Sequence, residues 1–448
     1  MLPLPRAGGG GSKCVLRLAK VGRGGQGYYL EVAEGTGSGT EPAGRWLGGA
    51  ARDMGLTGTV SAEPLAAVLE GRDPASGDLL SPAHDRVRVA AFDLTFCAPK
   101  SVSLLHALGD ADVVAAVRAS HDDAVAAVLG YVEHRAAAVR SRSDGARIPR
   151  PVQGMVAAEF VHRTSRALDP HLHTHMVVAN LAAGPDGRWR ALDARGLYAH
   201  RAAADALYHA HLRDALGHRL GVGWEPPRSG RADLLGIGLE ARQAFSQRSA
   251  AIAAEVERVA GRGRRAVDLA AARTRPRRDP SIGADDLTGW WRQRAREVGL
   301  GPTAIDRVVD RVPRRSVPRG VPEVSAVVAA LGGAPTRRQV VATWCRLAPD
   351  GAPVAVAEAG ADRVVATVVE RAGQPVARWQ PGVAEPRLPA GPAIGSERAV
   401  AQERAAAQER ADTALTRRLA DRGMTSGYGR VIGREGPGDL DGPDLGLG

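Results

Sequence analysis

Lysine is nearly absent from this chain of 448 residues. Only Lys13, Lys20 and Lys100 occur, so arginine supplies almost all of the 60 basic residues. Asparagine occurs once, at Asn180. The skew fits GC-rich coding, and it makes the formal net charge of +11 a modest pointer to a polyanionic partner, one that bears on association rather than fold. Cysteine is limited to Cys14, Cys97 and Cys345, an odd and widely spaced set with no CxxC, which argues against a disulfide framework and a cysteine zinc site. No uncharged apolar run approaches the roughly 18 residues of a membrane-spanning helix. The amino terminus, MLPLPRAGGGGS, lacks the apolar core of a secretory signal. These absences predict a soluble, cytoplasmic protein. Hydrophobic residues at 44% suffice for a packed core.

At roughly 100–200 residues per domain, the length predicts two or three domains. Residues 1–14 are Pro- and Gly-rich and read as a flexible tail. From 15 to 306, short β-like runs (Cys14–Leu18, Val89–Phe96, Met155–His162, His171–Asn180) alternate with apolar helical periodicity over Ala111–Arg135, Ala199–Leu220 and Glu240–Val259. Asp186-Gly187 reads as a hairpin turn. Strands with long helices between them, and few consecutive βαβ units, predict an α+β fold. Seven arginines between Gly261 and Asp279 read as a solvated loop or a phosphate-tracking stripe. Asp285–Val298 predicts a further helix, and residues 307–395 a small helical region around Arg337–Leu347. Residues 396–448 read as a polar helix, Ser396–Arg422, and a disordered tail.

Four histidines crowd into HRTSRALDPHLHTH, residues 162–175. On a strand His171, His173 and His175 project from one face, because side chains alternate with period two. His162 ends the preceding β run, and a turn at Asp169-Pro170 can return the chain so that His162 lies beside His173 and His175. Three neutral imidazoles at one point suit a divalent metal with open positions for substrate oxygens. Such a cation can act as a Lewis acid on a phosphoryl oxygen.

A nucleophile is then required, and no GxSxG elbow exists. The tyrosine pair Tyr28-Tyr29 in GGQGYYLEV is the candidate, since a phenolic oxygen can form a covalent intermediate when activated. Asp93, inside the apolar run FDLTF, needs a polar partner and could orient a histidine or act as general base. Pro99-Lys100-Ser101 opens a helix whose free N–H groups, with Lys100, could face a phosphate. Trp189, between Arg188 and Arg190, could stack a base or pack on a sheet.

Together GYYLEV, PAGRWLGGAARDMGLTG (42–58), FDLTFCAPKSVSLL (92–105) and HRTSRALDPHLHTHMVVAN closely resemble the relaxase domain of the conjugative MobF (TrwC/TraI-like) family. GRWRALDARGLYAHRAAADALYHAHLRDALGHRLGVGWE (187–225) and ARQAFSQRSAAI (241–252) extend the resemblance to about residues 15–300. It implies an HUH-endonuclease fold, a central antiparallel sheet flanked by helices. It implies that His162, His173 and His175 hold a catalytic divalent metal, Mg²⁺ or Mn²⁺, with Zn²⁺ compatible. It matches Tyr28 to the nicking nucleophile, which attacks the scissile phosphate at a transfer origin to give a 5′-phosphotyrosyl link and a 3′-hydroxyl. Asp93 matches the acidic residue that assists, by polarising the tyrosine or fixing His162. Single-stranded DNA is the implied partner.

The sequence departs from the family pattern in two places. A second tyrosine pair is expected a little after the first, but AEGTGSGTEPAGRW contains none. Tyr29 is a poor replacement, since adjacent residues diverge by about 100° on a helix and point oppositely on a strand. No lysine lies in a GxxxxGKS/T context, so no P-loop helicase is present and a separate helicase and coupling protein are implied. The rival readings are a barrel-type HxH metallohydrolase, which would want repeated βα units, and a two-histidine phosphoesterase, for which HRT at 162–164 has no second copy. A relaxase-derived protein that binds single-stranded DNA without cutting is the non-enzymatic alternative.

Overall fold

The computed structural model describes residues 16–34, 41–82, 88–143, 145–228, 230–259, 263–275, 284–311, 320–331, 334–371 and 388. The amino-terminal half contains β1 (Arg17–Gly22), α1 (Gly27–Ala33), β2 (Arg45–Leu47), α2 (Gly49–Asp53), α3 (Ala62–Leu69), β3 (Val89–Cys97), α4 (Lys100–Leu108) and α5 (Ala111–Arg135). Next come β4 (Ala138–Ser143), β5 (Ala146–Pro151), β6 (Ala157–Thr164), β7 (Pro170–Ala179), β8 (Ala182–Ala183), β9 (Trp189–Arg190) and α6 (Ala194–Leu220). The remainder is helical: α7 (Leu239–Ala244), α8 (Gln247–Arg258), α9 (Arg264–Arg273), α10 (Ala284–Glu297), α11 (Pro302–Asp306), α12 (Val324–Leu331), α13 (Arg337–Leu347) and α14 (Val354–Arg371).

Five strands form an antiparallel sheet in the order β1-β3-β7-β6-β2. Alternation assigns the two faces. Leu18, Phe92, Leu94, Phe96, Leu172, Met176 and Val178 enter the larger core, where they meet side chains from α4, α5 and α6. Ala91, Val156, Ala158, Phe160, Val177 and Ala179 point the other way, into a smaller core with Tyr29, Trp46 and residues of α2 and α3. β3 is buried over nearly its whole length, as expected of a strand covered on both sides. The α+β prediction therefore stands.

The two long helices have chemically defined ends. Asp110 caps α5 by accepting from the Val113 amide, and Asp193 caps α6 by accepting from the Arg195 amide. α6 stops at Gly221, whose φ of +58° is the left-handed conformation that glycine adopts freely. Helix α12 packs against α13 and α14, and α13 and α14 pack onto the α5–α6 layer. There the buried Arg213 donates to the carbonyls of Gly230, Cys345 and Ala348 at 2.9–3.1 Å. Gly351 comes so close to the Ala210 carbonyl that a Cβ would stand 2.0 Å from it.

Three expectations are corrected. Glu240–Val259 is two helices rather than one, because Phe245 turns inward and is fully buried between them. The arginine-rich stretch is not simply a loop, since Arg264–Arg273 is helical. The β4–β5 ribbon was not foreseen, because Pro149 and Pro151 argue against a strand there. The Asp186-Gly187 turn does join β8 to β9, with Gly187 at φ +70°. Residues 1–14 and Ser396–Arg422 lie outside the described residues. Among those described, no helix is long and apolar enough to cross a membrane.

Candidate active site

β6 and β7 pair so that His162 stands directly across from His173, with His175 two residues further along the same face. The ring centroids of His162, His173 and His175 lie 5.3–5.4 Å apart. Thr174, on the opposite face, bonds His121 of α5 at 2.7 Å, and His121 bonds the Tyr208 hydroxyl of α6 at 2.8 Å. Burial pushes His121 down to about 3, so it is a neutral bridge that fixes β7 from behind.

The β6–β7 turn is pinned from three directions. Leu168 takes a positive φ of 61°, and its carbonyl accepts from the Trp291 indole of α10 at 2.8 Å. Asp169, buried, accepts from the backbone and side-chain nitrogens of Gln247 at the start of α8. Lys100 donates to the Pro170 carbonyl at 2.6 Å. The sequence offered Lys100 as a phosphate ligand; the structure directs it to this turn.

Hydrogen bonding decides two of the imidazole tautomers. Nδ1 of His173 lies 2.8 Å from the His171 carbonyl, which can only accept, so Nδ1 carries the proton and Nε2 keeps its lone pair. Nδ1 of His175 lies 2.9–3.0 Å from the Asp93 carboxylate, with the same consequence. Burial holds His173 well below the usual histidine range, which keeps it neutral. These are the properties a cation requires of histidine ligands. The side chains as placed are not a closed ligand set: among the described residues, no group of three or more His, Cys, Asp or Glu is arranged to hold a metal. His171 stacks on His173 at 4.6 Å and contributes its carbonyl to that ring's orientation.

Tyr28 and Tyr29 lie on the short helix α1, so their side chains diverge. Tyr29 is buried and donates its hydroxyl to Asp93 Oδ2 at 2.9 Å. Its ring centroid lies 6.3 Å from His175 and 5.9 Å from Phe160. Burial, then the Asp93 carboxylate, pushes this phenol well above its ordinary range. Tyr28 is half-buried, edge-on to Tyr29 at 5.2 Å. Asp93 thus joins Tyr29, Thr95 and His175; the expected links to Tyr28 and His162 are replaced by these. His162 instead has Glu41 3.8 Å from its Nδ1.

Sequence reasoning missed Glu41, the His171 carbonyl and the Thr174–His121–Tyr208 relay. Only His121 carried a signal, as a histidine on the apolar side of α5. Trp189 packs half-buried against the smaller core, and Arg190 is tied to Asp186 at 2.7 Å.

A β-hairpin presenting histidines to a tyrosine held on a neighbouring strand's aspartate is the arrangement of a DNA relaxase domain. Residues 15–298 match the TrwC relaxase family model, and the chain belongs to that family. It is 33% identical over 285 residues to the multifunctional conjugation protein TraI of Escherichia coli, covering 60% of this chain and 15% of that protein. The chain therefore spans about 15% of the length of the curated relatives it matches. The metal-free structure of conjugative relaxase TrwC in complex with OriT DNA superposes with a TM-score of 0.57 and 30% identity, over 63% of this chain and 98% of that one. Its metal-bound counterpart gives a TM-score of 0.58 and 29% identity, with the same coverage. TrwC complexed with a 27-mer DNA comprising the recognition hairpin and the cleavage site gives 0.56 and 29%, again over 63% and 98%.

Proposed function

We propose that this chain nicks one DNA strand at a transfer origin by tyrosine transesterification, as a step in conjugative transfer. The observation that carries the reading is the clustering of His162, His173 and His175, with ring centroids 5.3–5.4 Å apart, beside a tyrosine pair whose inner member is bonded to Asp93. Tyr28, the more accessible of the two, is the nucleophile matched by the resemblance. Its Oη forms a bond to phosphorus, the P–O3′ bond breaks, and a proton ends on the departing 3′ oxygen. The products are a 5′-phosphotyrosyl link and a 3′-hydroxyl.

Asp93 holds the Nδ1 proton of His175 and the hydroxyl of Tyr29, so it couples the histidine orientation to the tyrosine pair. His162, His173 and His175 would hold a divalent cation; a metal-bound form of the related TrwC supports this without naming the ion for this chain. When bound, such a cation draws charge from a phosphoryl oxygen. The Asp93–Tyr29 bond favours a second assignment, with Tyr29 as nucleophile and Asp93 as its general base.

Single-stranded DNA is the substrate; with no P-loop lysine in these 448 residues, unwinding falls to a helicase, and a coupling protein is the further partner. The test is a denaturing gel of the protein with Mn²⁺ and labelled single-stranded oligonucleotides tiled from the DNA flanking its gene. A protein-linked label that vanishes in Tyr28→Phe and His173→Ala supports nicking. Binding without any adduct, across all tiles and several metals, supports the binding-only alternative.

A further inference from the structure

β1 is an edge strand, and Arg17 is its first residue. Register places Arg17 opposite Thr95, Thr95 opposite His175, and His175 opposite Phe160. Directly paired residues share a face, so Arg17 heads a row crossing the catalytic side of the sheet to the histidine hairpin. Thr95 donates to Asp93 at 3.4 Å, and Asp93 holds Tyr29. The tyrosine is thus bracketed, with the histidines of β6 and β7 on one side and Arg17 on the other. Two strand spacings, about 10 Å, separate the Arg17 and His175 backbones, and a phosphodiester fits between side chains reaching inward across that gap.

Arg17 is exposed, and among the described residues no carboxylate lies within ion-pair distance of it. Asp93, the acid on that face, is already engaged by Tyr29, Thr95 and His175. The backbone beneath Arg17 is nonetheless fixed, because the Leu16 amide donates to Asp205 at 2.8 Å. The Arg17 charge also reaches Tyr29, where it opposes the upward push of burial and Asp93.

We propose that Arg17 binds the scissile phosphate of the single-stranded DNA substrate from the side opposite the histidines. This rests on the nicking reading above and adds to it a specific phosphate contact. A guanidinium suits the task, since its planar fork donates to two phosphate oxygens at once.

The experiment uses the oligonucleotide on which the wild-type chain forms its adduct, and a copy carrying a methylphosphonate at the scissile position. Binding of both is measured in a Tyr28→Phe/Tyr29→Phe background, with and without Arg17→Ala or Arg17→Lys. On the native oligonucleotide, Arg17→Ala weakens binding about tenfold, the scale of one charge-assisted hydrogen-bonded contact, and Arg17→Lys weakens it less. On the methylphosphonate the arginine and alanine proteins bind alike, because the charge that Arg17 reads is gone. An equal loss on both oligonucleotides, or no loss on the native one, overturns the assignment while leaving the nicking reading intact. Absence of any wild-type adduct overturns the nicking reading and this inference together. Unchanged thermal melting of Arg17→Ala confirms that an exposed side chain was removed without harm to the fold.

Discussion

The two faces of the five-stranded sheet are built to different ends. One face lies under α4, α5 and α6, with α13 and α14 packed onto that helical layer; its inward side chains are almost all aliphatic or aromatic. The other is covered by the short helices α1–α3, and toward one end of β6 and β7 it gives way to His162, His173 and His175, with Asp93 midway along β3. Because a strand alternates its side chains, every catalytic candidate on β7 has a structural neighbour one residue away facing the helices. Thr174 shows this most directly: it sits between His173 and His175 in sequence, yet it belongs to the buried His121–Tyr208 relay. The thickly covered face supplies rigidity, and the thinly covered face uses it to position a buried to half-buried cluster of polar groups.

If the comparison is right, substitutions on the histidine face remove chemistry and leave melting nearly unchanged, while those on the helical face do the reverse. The largest effect is expected for His173→Ala, which drops covalent adduct to background on a denaturing gel while circular dichroism reports an intact fold. Asp93→Asn comes next. It disturbs both His175 and Tyr29, and adduct formation slows by about 10²–10⁴-fold, the range for losing a positioned acid–base group.

On the helical face Arg213→Met takes the guanidinium donor from the buried carbonyls of Gly230 and Cys345, while Ala348 keeps the Gly351 amide, and unfolding in urea shows a loss of about 3 kcal/mol. The adduct rate per folded molecule stays near that of the wild type. Thr174→Val straddles the two faces. It costs about 1–2 kcal/mol by removing one buried hydrogen bond, and it slows adduct formation modestly through β7.

The smallest effect is a pH slope. His200 is bonded to Tyr131, and burial pushes it from 6.5 down to about 3. It is neutral when folded and takes up a proton near pH 6.5 when unfolded. Its contribution is therefore complete above pH 6.5 and is lost as pH falls toward 3. His200→Gln should flatten the fall of melting temperature with acid across that window; an unchanged slope would mean that other groups set it.

The candidate site was legible in sequence to the extent that its residues are close together in the chain. HLHTH declares its own face by period two, and the Asp169-Pro170 turn brings His162 back to it. The long helix Ala111–Arg135 was read to the residue, because its apolar positions repeat over seven turns and its end charges agree. What stayed hidden depends on distant pairings. Nothing local says that Asp93 faces Tyr29 rather than Tyr28, since that choice is set by how α1 rests on β3. The same holds for Glu41 beside His162, for Arg17 in the row of His175, and for the packing of α13 on α6 through Arg213. The break between α7 and α8 was missed because helical periodicity runs on through Phe245, whose burial, not its propensity, turns the chain.

Protease digestion of the trapped adduct, followed by mass spectrometry of the nucleotide-bearing peptide, tests the central claim most directly. Tyr28 and Tyr29 are adjacent, so fragmentation within that peptide assigns the phosphodiester to one of them. The account predicts the nucleotide on Tyr28, through a 5′-phosphate, with Tyr29 unmodified on Asp93. A nucleotide on Tyr29, or on any residue outside α1, would contradict it.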